Sequence, residues 1–191
     1  FSQTESGKGI INKVEERKNC LVRPPVANID KLFIVSSFTL PQPNTFIIDK
    51  MTAIAGHNNI EPIIVFNKCD MGDFSYWRGI YEKSGFKTYV VSALAGEGID
   101  NLKAELKDSV SAFTGNSGVG KSSILNALFG EDVIATGEVS EKLGRGKHTT
   151  RHCELYEVNG GFIADTPGFS SIDMEKTAII LKDELQYCFN E

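Results

Sequence analysis

The chain has 191 residues, of which 41% are hydrophobic and 24% charged, so it is long enough for one sizeable domain with a packed core. No apolar run approaches the roughly 18 residues that a membrane span needs, and because residues 1–16 are polar and charged we expect no secretory signal peptide. The formal net charge of −5 gives no general support to nucleic-acid binding, although it leaves room for a local basic patch.

The four cysteines, Cys20, Cys69, Cys153 and Cys188, match neither a CxxC metal pair nor a disulfide framework. Their spacing favours a reducing compartment. We expect a cytoplasmic location for this reason, and we also expect a monomer without a membrane partner.

The first thirty residues differ from the rest of the chain. Residues 9–14 predict a short strand, and Pro24 and Pro25 predict a stiff extended connector, because proline fixes φ and restricts the residue before it. We interpret residues 1–28 as the tail of a small β-domain followed by a linker.

Strands and helices alternate in the remainder of the chain, which predicts an α/β fold with a mainly parallel sheet and helices on both faces. The predicted strands cover residues 32–37, 62–66, 88–91, 109–113, 152–158 and 162–164. The predicted helices cover residues 45–57, 73–83, 101–107, 121–129 and 178–189. We assign residues 29–174 to this domain and residues 175–191 to a C-terminal helix. Between residues 107 and 109 either the turn is very tight or residues are absent.

Residues 115–122 read GNSGVGKS and fit the pattern G-x-x-x-x-G-K-[ST] between a predicted strand and a predicted helix. Glycines let backbone N–H groups surround a phosphate, and the helix N-terminus adds a partial positive charge. Lys121 can reach the β- and γ-phosphates and act in catalysis, and the Ser122 hydroxyl can bind Mg²⁺. The alternative, a glycine-rich turn without a ligand, is disfavoured by the flanking elements. The predicted phosphate-binding residues are Gly115, Asn116, Ser117, Gly118, Val119, Gly120, Lys121, Ser122 and Ser123.

A second motif, Asn67-Lys68-Cys69-Asp70, follows a predicted buried strand and matches the NKxD element that reads guanine. The Asp70 carboxylate can accept hydrogen bonds from the N1–H and exocyclic amine of guanine, a donor pair that adenine lacks. We expect Asn67 to tie loops together and the Lys68 stem to pack along the base. Ser92 and Ala93 match the short SA element, whose backbone N–H binds the guanine O6. The alternative is a solvated turn at a strand end.

A third motif, DTPG at residues 165–168, matches the DxxG element. Asp165 would hold Mg²⁺ through a water, and the Gly168 N–H would contact the γ-phosphate. In the basic loop before it, Thr150 or Thr149 could bind Mg²⁺, and we prefer Thr150.

Phe169 occupies the position of the water-orienting glutamine of Ras-like enzymes, and it cannot perform that task. His148 is the nearest polar candidate for catalysis. A solvated loop histidine is an equally weighted alternative.

The motif order is circularly permuted, because NKxD and SA precede the phosphate loop. Strand ends in one sheet can form one site whatever the chain order, and permutation is tolerated where termini lie close together. This order, with RPPVANID at residues 23–30 and GRGKHTTR at residues 144–151, resembles the ribosome small subunit-dependent GTPase A family from about residue 9 onward.

The resemblance implies an N-terminal OB-fold, a permuted GTPase domain and a C-terminal zinc-binding domain. It implies hydrolysis of GTP to GDP and phosphate, slow alone and stimulated by the small ribosomal subunit and its rRNA, in late maturation of that subunit. Most of the OB-fold and the zinc ligands are missing from this sequence, so we expect GTP or GDP and Mg²⁺ but no zinc, and Cys188 is not expected to be a ligand.

Two other functions compete with this one. The first is a nucleotide-gated module that binds RNA or the ribosome with little hydrolysis. The second, an ATPase of the kinase type, is disfavoured by the guanine-reading motif at residues 67–70.

Overall fold

The computed structural model describes residues 2–3, 9–10, 12–21, 26–39, 41–130 and 154–165. The strands in this part of the chain are β1 (Ser2–Gln3), β2 (Gly9–Ile10), β3 (Cys20–Leu21), β4 (Val26–Ala27), β5 (Lys31–Ser37), β6 (Glu61–Asn67), β7 (Lys87–Val91), β8 (Val110–Thr114), β9 (Glu154–Val158) and β10 (Gly161–Asp165). The helices are α1 (Thr45–His57), α2 (Ser75–Lys83), α3 (Ile99–Glu105) and α4 (Lys121–Phe129), with a 3-10 turn at Cys69–Met71.

Six strands form one sheet in the order β7–β6–β5–β8–β10–β9. Neighbouring strands run parallel, except that β9 pairs antiparallel with β10. Five strands therefore point the same way, and their carboxyl ends meet at one edge of the sheet. The predicted α/β fold with a mainly parallel sheet is confirmed.

The side chains of β5 alternate between two hydrophobic layers. Leu32 and Ile34 belong to the layer that α1 and α2 cover, whereas Phe33 and Val35 belong to the layer that α3 and α4 cover. All four are buried. Burial on both faces explains why this strand reads as a continuous apolar run rather than an alternating one.

The segment before β5 packs against the domain. Leu21 and Val26 are buried in the layer that α1 covers. The buried Asn19 amide pairs with the backbone of Ile29 in both directions: its Nδ2 donates to the Ile29 carbonyl at 2.7 Å, and its Oδ1 accepts from the Ile29 N–H at 3.0 Å. The side chain thus replaces two backbone bonds of a longer strand pair.

The strand predicted over residues 9–14 is shorter than expected. Within the predicted range, only β2 is paired, and its partner is β1. Residues 12–14 lie outside any strand. Val14 is exposed, so burial of its apolar side chain does not stabilise a longer strand.

The join between α3 and β8 is a tight turn. The helix begins and ends two residues earlier than predicted, which leaves residues 106–109 to make the connection. Asp108 takes a left-handed conformation with φ of +54°, and the Ser109 hydroxyl donates to the Leu106 carbonyl at 2.8 Å. The chain thus makes this join with a four-residue turn, because the helix ends before residue 107.

Candidate functional site

The three motifs come together at the carboxyl edge of the sheet. Residues 67–70 follow β6, Ser92 follows β7, Gly115 follows β8, and Asp165 ends β10. Because β6 and β8 lie on either side of β5, the loops after these strands are close enough to interact.

The phosphate loop, residues 115–122, has a backbone that depends on its glycines. Gly115, Gly118 and Gly120 have φ angles of +146°, +80° and +92°, a region that other residues rarely adopt. A Cβ at Gly115 would lie 2.2 Å from the Val35 carbonyl oxygen, and a Cβ at Gly120 would lie 2.3 Å from Asn67 Nδ2. Both the curvature of the loop and its close contacts therefore require glycine.

Helix α4 begins at Lys121, near the end of this loop, without a side-chain cap. The first N–H groups of a helix have no partner within the helix, and together they create a partial positive charge. The loop and the helix start thus form an arrangement that suits an anion. Ser122 is half-buried in the first helical turn, and Ser123 is exposed.

Lys121 folds back over the phosphate loop. Its Nζ donates to the Gly115 carbonyl at 2.7 Å and to the Asn116 carbonyl at 2.8 Å. Burial lowers the pKa of this ammonium to about 8, because the charged form loses hydration. A phosphate beside it would supply a negative charge and thereby favour the charged form of the lysine.

Asn67 connects the NKxD loop to two other loops. Its side chain is 2% exposed. The amide Nδ2 donates to the Val119 carbonyl at 2.9 Å, and Oδ1 accepts from the Ala93 N–H at 3.1 Å. One buried amide therefore fixes the spacing between the SA element and the phosphate loop, which agrees with the connecting role predicted for it.

Lys68 has a left-handed backbone with φ of +68°, uncommon for a residue with a side chain. Its Nζ donates to the Gly118 carbonyl at 2.9 Å and to the Thr39 carbonyl at 3.4 Å. The Lys68 side chain therefore extends from the NKxD motif toward the phosphate loop, and its Nζ also contacts the loop after β5.

Asp70 is exposed at the surface of the site, and Ser92 orients it. The Ser92 hydroxyl donates to Asp70 Oδ1 at 2.6 Å and accepts from the Ala95 N–H at 3.2 Å. Backbone bonds of 3.0 and 3.1 Å between Ser92 and Glu97 close the turn. The sequence pattern assigned a backbone contact to the SA element and missed this hydroxyl, which only the adjacency of β6 and β7 could reveal.

Cys69 is half-buried between Asp70 and Glu97. Its thiol donates to Glu97 Oε2 at 3.6 Å. Burial raises the pKa of the thiol, and the nearby Glu97 carboxylate raises it further. The side chain is thus held as a neutral thiol.

Asp165, the residue expected to hold Mg²⁺ through a water, is described by its backbone alone. Register pairs Ala164 of β10 with Ala112 of β8, so Asp165 ends the strand beside the one that leads into the phosphate loop. No group of three or more His, Cys, Asp or Glu side chains that could hold a metal ion occurs among the residues described.

The remaining predicted residues, His148, Thr149, Thr150, Gly168 and Phe169, lie outside the described ranges, as do Cys153, Cys188 and the helix predicted over residues 178–189. Within the described part of the chain, no helix is both long and apolar enough to span a membrane.

Known proteins resemble this chain both in sequence and in fold. The chain is 42% identical over 190 residues to the small ribosomal subunit biogenesis GTPase RsgA of Clostridium kluyveri, covering 98% of this chain and 65% of the relative. It is 44% identical over 188 residues to the protein of that name from Caldanaerobacter subterraneus, covering 96% of this chain and 62% of the relative. The chain thus spans less than two thirds of the length of these curated relatives.

Solved structures show the same fold. The crystal structure of YjeQ from Thermotoga maritima superposes with a TM-score of 0.71 at 35% identity, covering 96% of this chain and 63% of that one. YloQ, described as a circularly permuted GTPase, superposes with a TM-score of 0.69 at 30% identity, covering 93% of this chain and 56% of that one. The predicted permuted fold is therefore confirmed. Since the family model for the RsgA GTPase also matches residues 14–175, the chain belongs to the RsgA GTPase family.

Proposed function

We propose that this chain binds GTP and GDP and hydrolyses GTP to GDP and phosphate. The observation that carries the proposal is the Asn67 amide, which is bonded at one end to the phosphate loop and at the other to the SA turn. A loop built for phosphates and a carboxylate suited to guanine are thereby held at a fixed separation, as one nucleotide requires.

The phosphate end of the proposed site depends on backbone N–H groups and on Lys121. Its predicted residues are Gly115, Asn116, Ser117, Gly118, Val119, Gly120, Lys121, Ser122 and Ser123. Lys121 Nζ exchanges its carbonyl partners for phosphate oxygens and stabilises the charge that develops during transfer. The base end consists of Asn67, Lys68, Cys69, Asp70, Ser92 and Ala93, with Asp70 reading the guanine edge.

Mg²⁺ fits the oxygen-bearing residues of this edge. Ser122 lies in the first turn of α4, and Asp165 ends the strand beside β8. Hydroxyl and carboxylate oxygens suit this ion, which keeps several waters and binds substrate phosphates. The ion would supply positive charge that offsets the negative charge of the phosphates. We assign Ser122, Asp165 and Thr150 to the ion.

The proposed biological role is late maturation of the small ribosomal subunit, in the cytoplasm and as a monomer. The names of the relatives support this role, since they are called small ribosomal subunit biogenesis GTPases. Phe169 stands where Ras-like enzymes orient water with glutamine, so the protein alone is a slow catalyst. We propose that rRNA phosphates order the basic loop at residues 144–151 and bring His148 to the γ-phosphate. Gly168 contacts that phosphate through its N–H.

The test is GTP turnover with and without small ribosomal subunits. We expect the wild-type protein to hydrolyse GTP slowly and small subunits to stimulate it strongly. Lys121→Ala should show no hydrolysis. His148→Ala should still bind GTP but should lose the stimulation by subunits. Wild-type turnover by Lys121→Ala would show that the phosphate-loop assignment is wrong. Full stimulation of His148→Ala would reduce this histidine to a loop residue. Nucleotide-dependent subunit binding without turnover would favour the alternative, a nucleotide-gated binding module.

A further inference from the structure

Strand β7 is a terminal strand of the six-stranded sheet, and part of its outer edge is open. Its inner edge pairs with β6 along the whole strand, from Lys87 to Val91. On the outer side the chain folds back only beyond the strand, where the N–H and the carbonyl of Ser92 both bond to Glu97. In the described part of the chain, no backbone hydrogen bond joins residues 88–90 to a loop or turn.

The bonds of Ser92 show which backbone groups of β7 face outward. Successive residues of a strand in a parallel ladder turn their N–H and C=O groups to opposite sides. Since Ser92 faces outward, Val90 and Thr88 do so too. The position of the Val90 carbonyl agrees, because a Cβ at Gly98, in the returning chain, would lie 2.6 Å from its oxygen. The outer edge therefore offers the hydrogen-bonding groups of Thr88 and Val90 to a chain that lies beside it.

A cavity of about 500 Å³ borders this open edge. Its lining includes Thr88, whose hydroxyl bonds to Glu82 of α2, and Tyr89, whose hydroxyl bonds to Glu105 of α3. Neighbouring side chains of a strand point to opposite faces of the sheet, so a cavity that reaches both must pass around the edge of the strand. The cavity is thus a groove between α2 and α3, with the edge of β7 at its base.

The usual protection of an edge strand is missing from β7. Edge strands in soluble proteins are commonly guarded by proline, by a bulge or by a charged side chain. Residues 87–91 contain no proline, and their pairing with β6 is continuous. Lys87, at the start of the strand, is held against the domain by ion pairs with Glu61 at 2.8 Å and Glu105 at 2.9 Å. Such an edge suits a surface that pairs with another chain.

One wall of the groove carries a positive charge. Arg78 of α2 lines the cavity and is about half exposed. Its Nε donates to Glu82 at 2.7 Å, and its other guanidinium nitrogens carry further donors. On the opposite wall, Asn101 and Ala104 are uncharged, and Glu105 already accepts hydrogen bonds from three side chains of its own domain. An acidic side chain on a bound segment would therefore contact Arg78.

We propose that the groove beside β7 binds an extended, acidic segment of a partner protein as an additional strand of the sheet. Backbone hydrogen bonds to Thr88 and Val90 give affinity, and the contact with Arg78 gives a preference for an acidic side chain. None of the residues that line the groove is assigned to the proposed nucleotide site, so this inference does not depend on GTP binding.

The first experiment titrates the isotope-labelled wild-type chain with acetyl-Thr-Val-Glu-Val-Thr-amide and follows its backbone amide signals by NMR. We expect saturable shifts that are largest for the N–H groups of Thr88 and Val90 and smaller for that of Tyr89, which faces β6. The same peptide with every backbone nitrogen methylated keeps its side chains but donates no backbone hydrogen bond, so it should bind about tenfold more weakly or worse. Absence of shifts in β7, or equal binding of the methylated peptide, would overturn the proposal.

The second experiment repeats the titration with a peptide in which lysine replaces the glutamate. Wild type should bind this peptide about threefold more weakly, the scale of an exposed ion pair. Arg78→Glu should reverse the preference. Lys83→Glu is the matched control, because it makes the same change of charge at an exposed position of α2 that does not line the groove, and it should keep the preference for glutamate.

Three other results would also overturn the proposal. An unchanged preference in Arg78→Glu would show that the groove does not select an acidic segment. If the signals of Thr88 and Val90 shift with protein concentration in the absence of peptide, a second copy of this chain occupies the edge. If they respond to oligouridine RNA and not to the peptide, the surface binds RNA.

Discussion

At the scale of single residues, the proposed base site depends on how a carboxylate is oriented. Asp70 is exposed, so nothing in the core fixes its rotamer. The Ser92 hydroxyl contacts Oδ1 at 2.6 Å and is itself fixed by the Ala95 N–H. This chain of two hydrogen bonds orients the carboxylate before any ligand arrives, which reduces the entropy lost on binding.

Replacing Asp70 with asparagine should change base preference. The amide can donate to the 2-oxo group of xanthine but can no longer accept two bonds from guanine. We expect GDP affinity to fall by roughly a hundredfold or more, and XDP to become the preferred ligand. Competition binding of GDP against XDP measures this. If GDP affinity is unchanged, Asp70 does not belong to the base site.

At the scale of elements, the β9–β10 hairpin abuts the turn between α3 and β8. The Phe162 N–H donates to the Ser109 carbonyl at 2.9 Å, and Asn159 Nδ2 donates to the Lys103 carbonyl at 3.0 Å. Gly161 makes the approach possible, because a Cβ there would lie 1.9 Å from the Leu106 carbonyl oxygen. The contact fixes the start of β10, the strand that ends at Asp165.

Gly161→Ala should therefore destabilise the protein. The methyl group would overlap a backbone oxygen that cannot move without shifting the turn, so we expect a loss of about 2 kcal/mol in the free energy of unfolding. Gly79→Ala is the control: it lies within α2 with no atom within 4 Å of the added Cβ. Relief of the glycine penalty in a helix should stabilise that variant by about 0.5–1 kcal/mol. Urea denaturation measures both, and equal stability of Gly161→Ala and wild type would contradict the close approach.

At the scale of the whole molecule, a carboxylate on α3 joins three elements at the edge of the sheet opposite the candidate site. Glu105 accepts from Lys31 of β5 at 2.7 Å, and from Lys87 and Tyr89 of β7 at 2.9 and 2.7 Å. Burial opposes its ionisation, but the hydrogen bonds from Lys31, Tyr89 and Lys87 outweigh burial and lower the pKa of Glu105 to about 2. The network makes global stability depend on pH.

The sign of this dependence follows from the lowered pKa. The carboxylate contributes fully above its ordinary value of 4.5, and the contribution is lost as pH falls toward 2. Its size is about 3 kcal/mol at neutral pH. We expect Glu105→Gln to be much less stable than wild type at pH 7, and the difference in the free energy of unfolding to shrink to about a quarter of that value at pH 2.5, as measured by urea denaturation. Glu82→Gln, in the exposed pair with Arg78, should shift the urea midpoint little at either pH. If the difference in the free energy of unfolding between wild type and Glu105→Gln does not vary with pH, this account is wrong.

The sequence predicts elements well where one local signal dominates. Helix α1 has the predicted bounds because its apolar residues recur along one face, and the structure adds an N-terminal cap in which the Asn44 side chain accepts from the Ile47 N–H. The burial of Leu21 and Val26 was not predicted, because strands of two residues have no periodicity to detect. The Glu105 network was not predicted either, because it depends on the order of the strands in the sheet. The roles of His148, Thr150 and Gly168 stay predictions.

The strand order of the sheet decides which strands can pair first while the chain is being synthesised. Sheet neighbours β5, β6 and β7 are consecutive in the chain, so they can associate as they leave the exit tunnel. Strand β8 then adds to the free side of β5, and the β9–β10 hairpin adds beyond it. Every addition occurs at an open edge, and no finished pair has to separate to admit a later strand. The loops after β6 and β7 thus emerge before the phosphate loop, and the proposed site becomes complete only when that loop arrives.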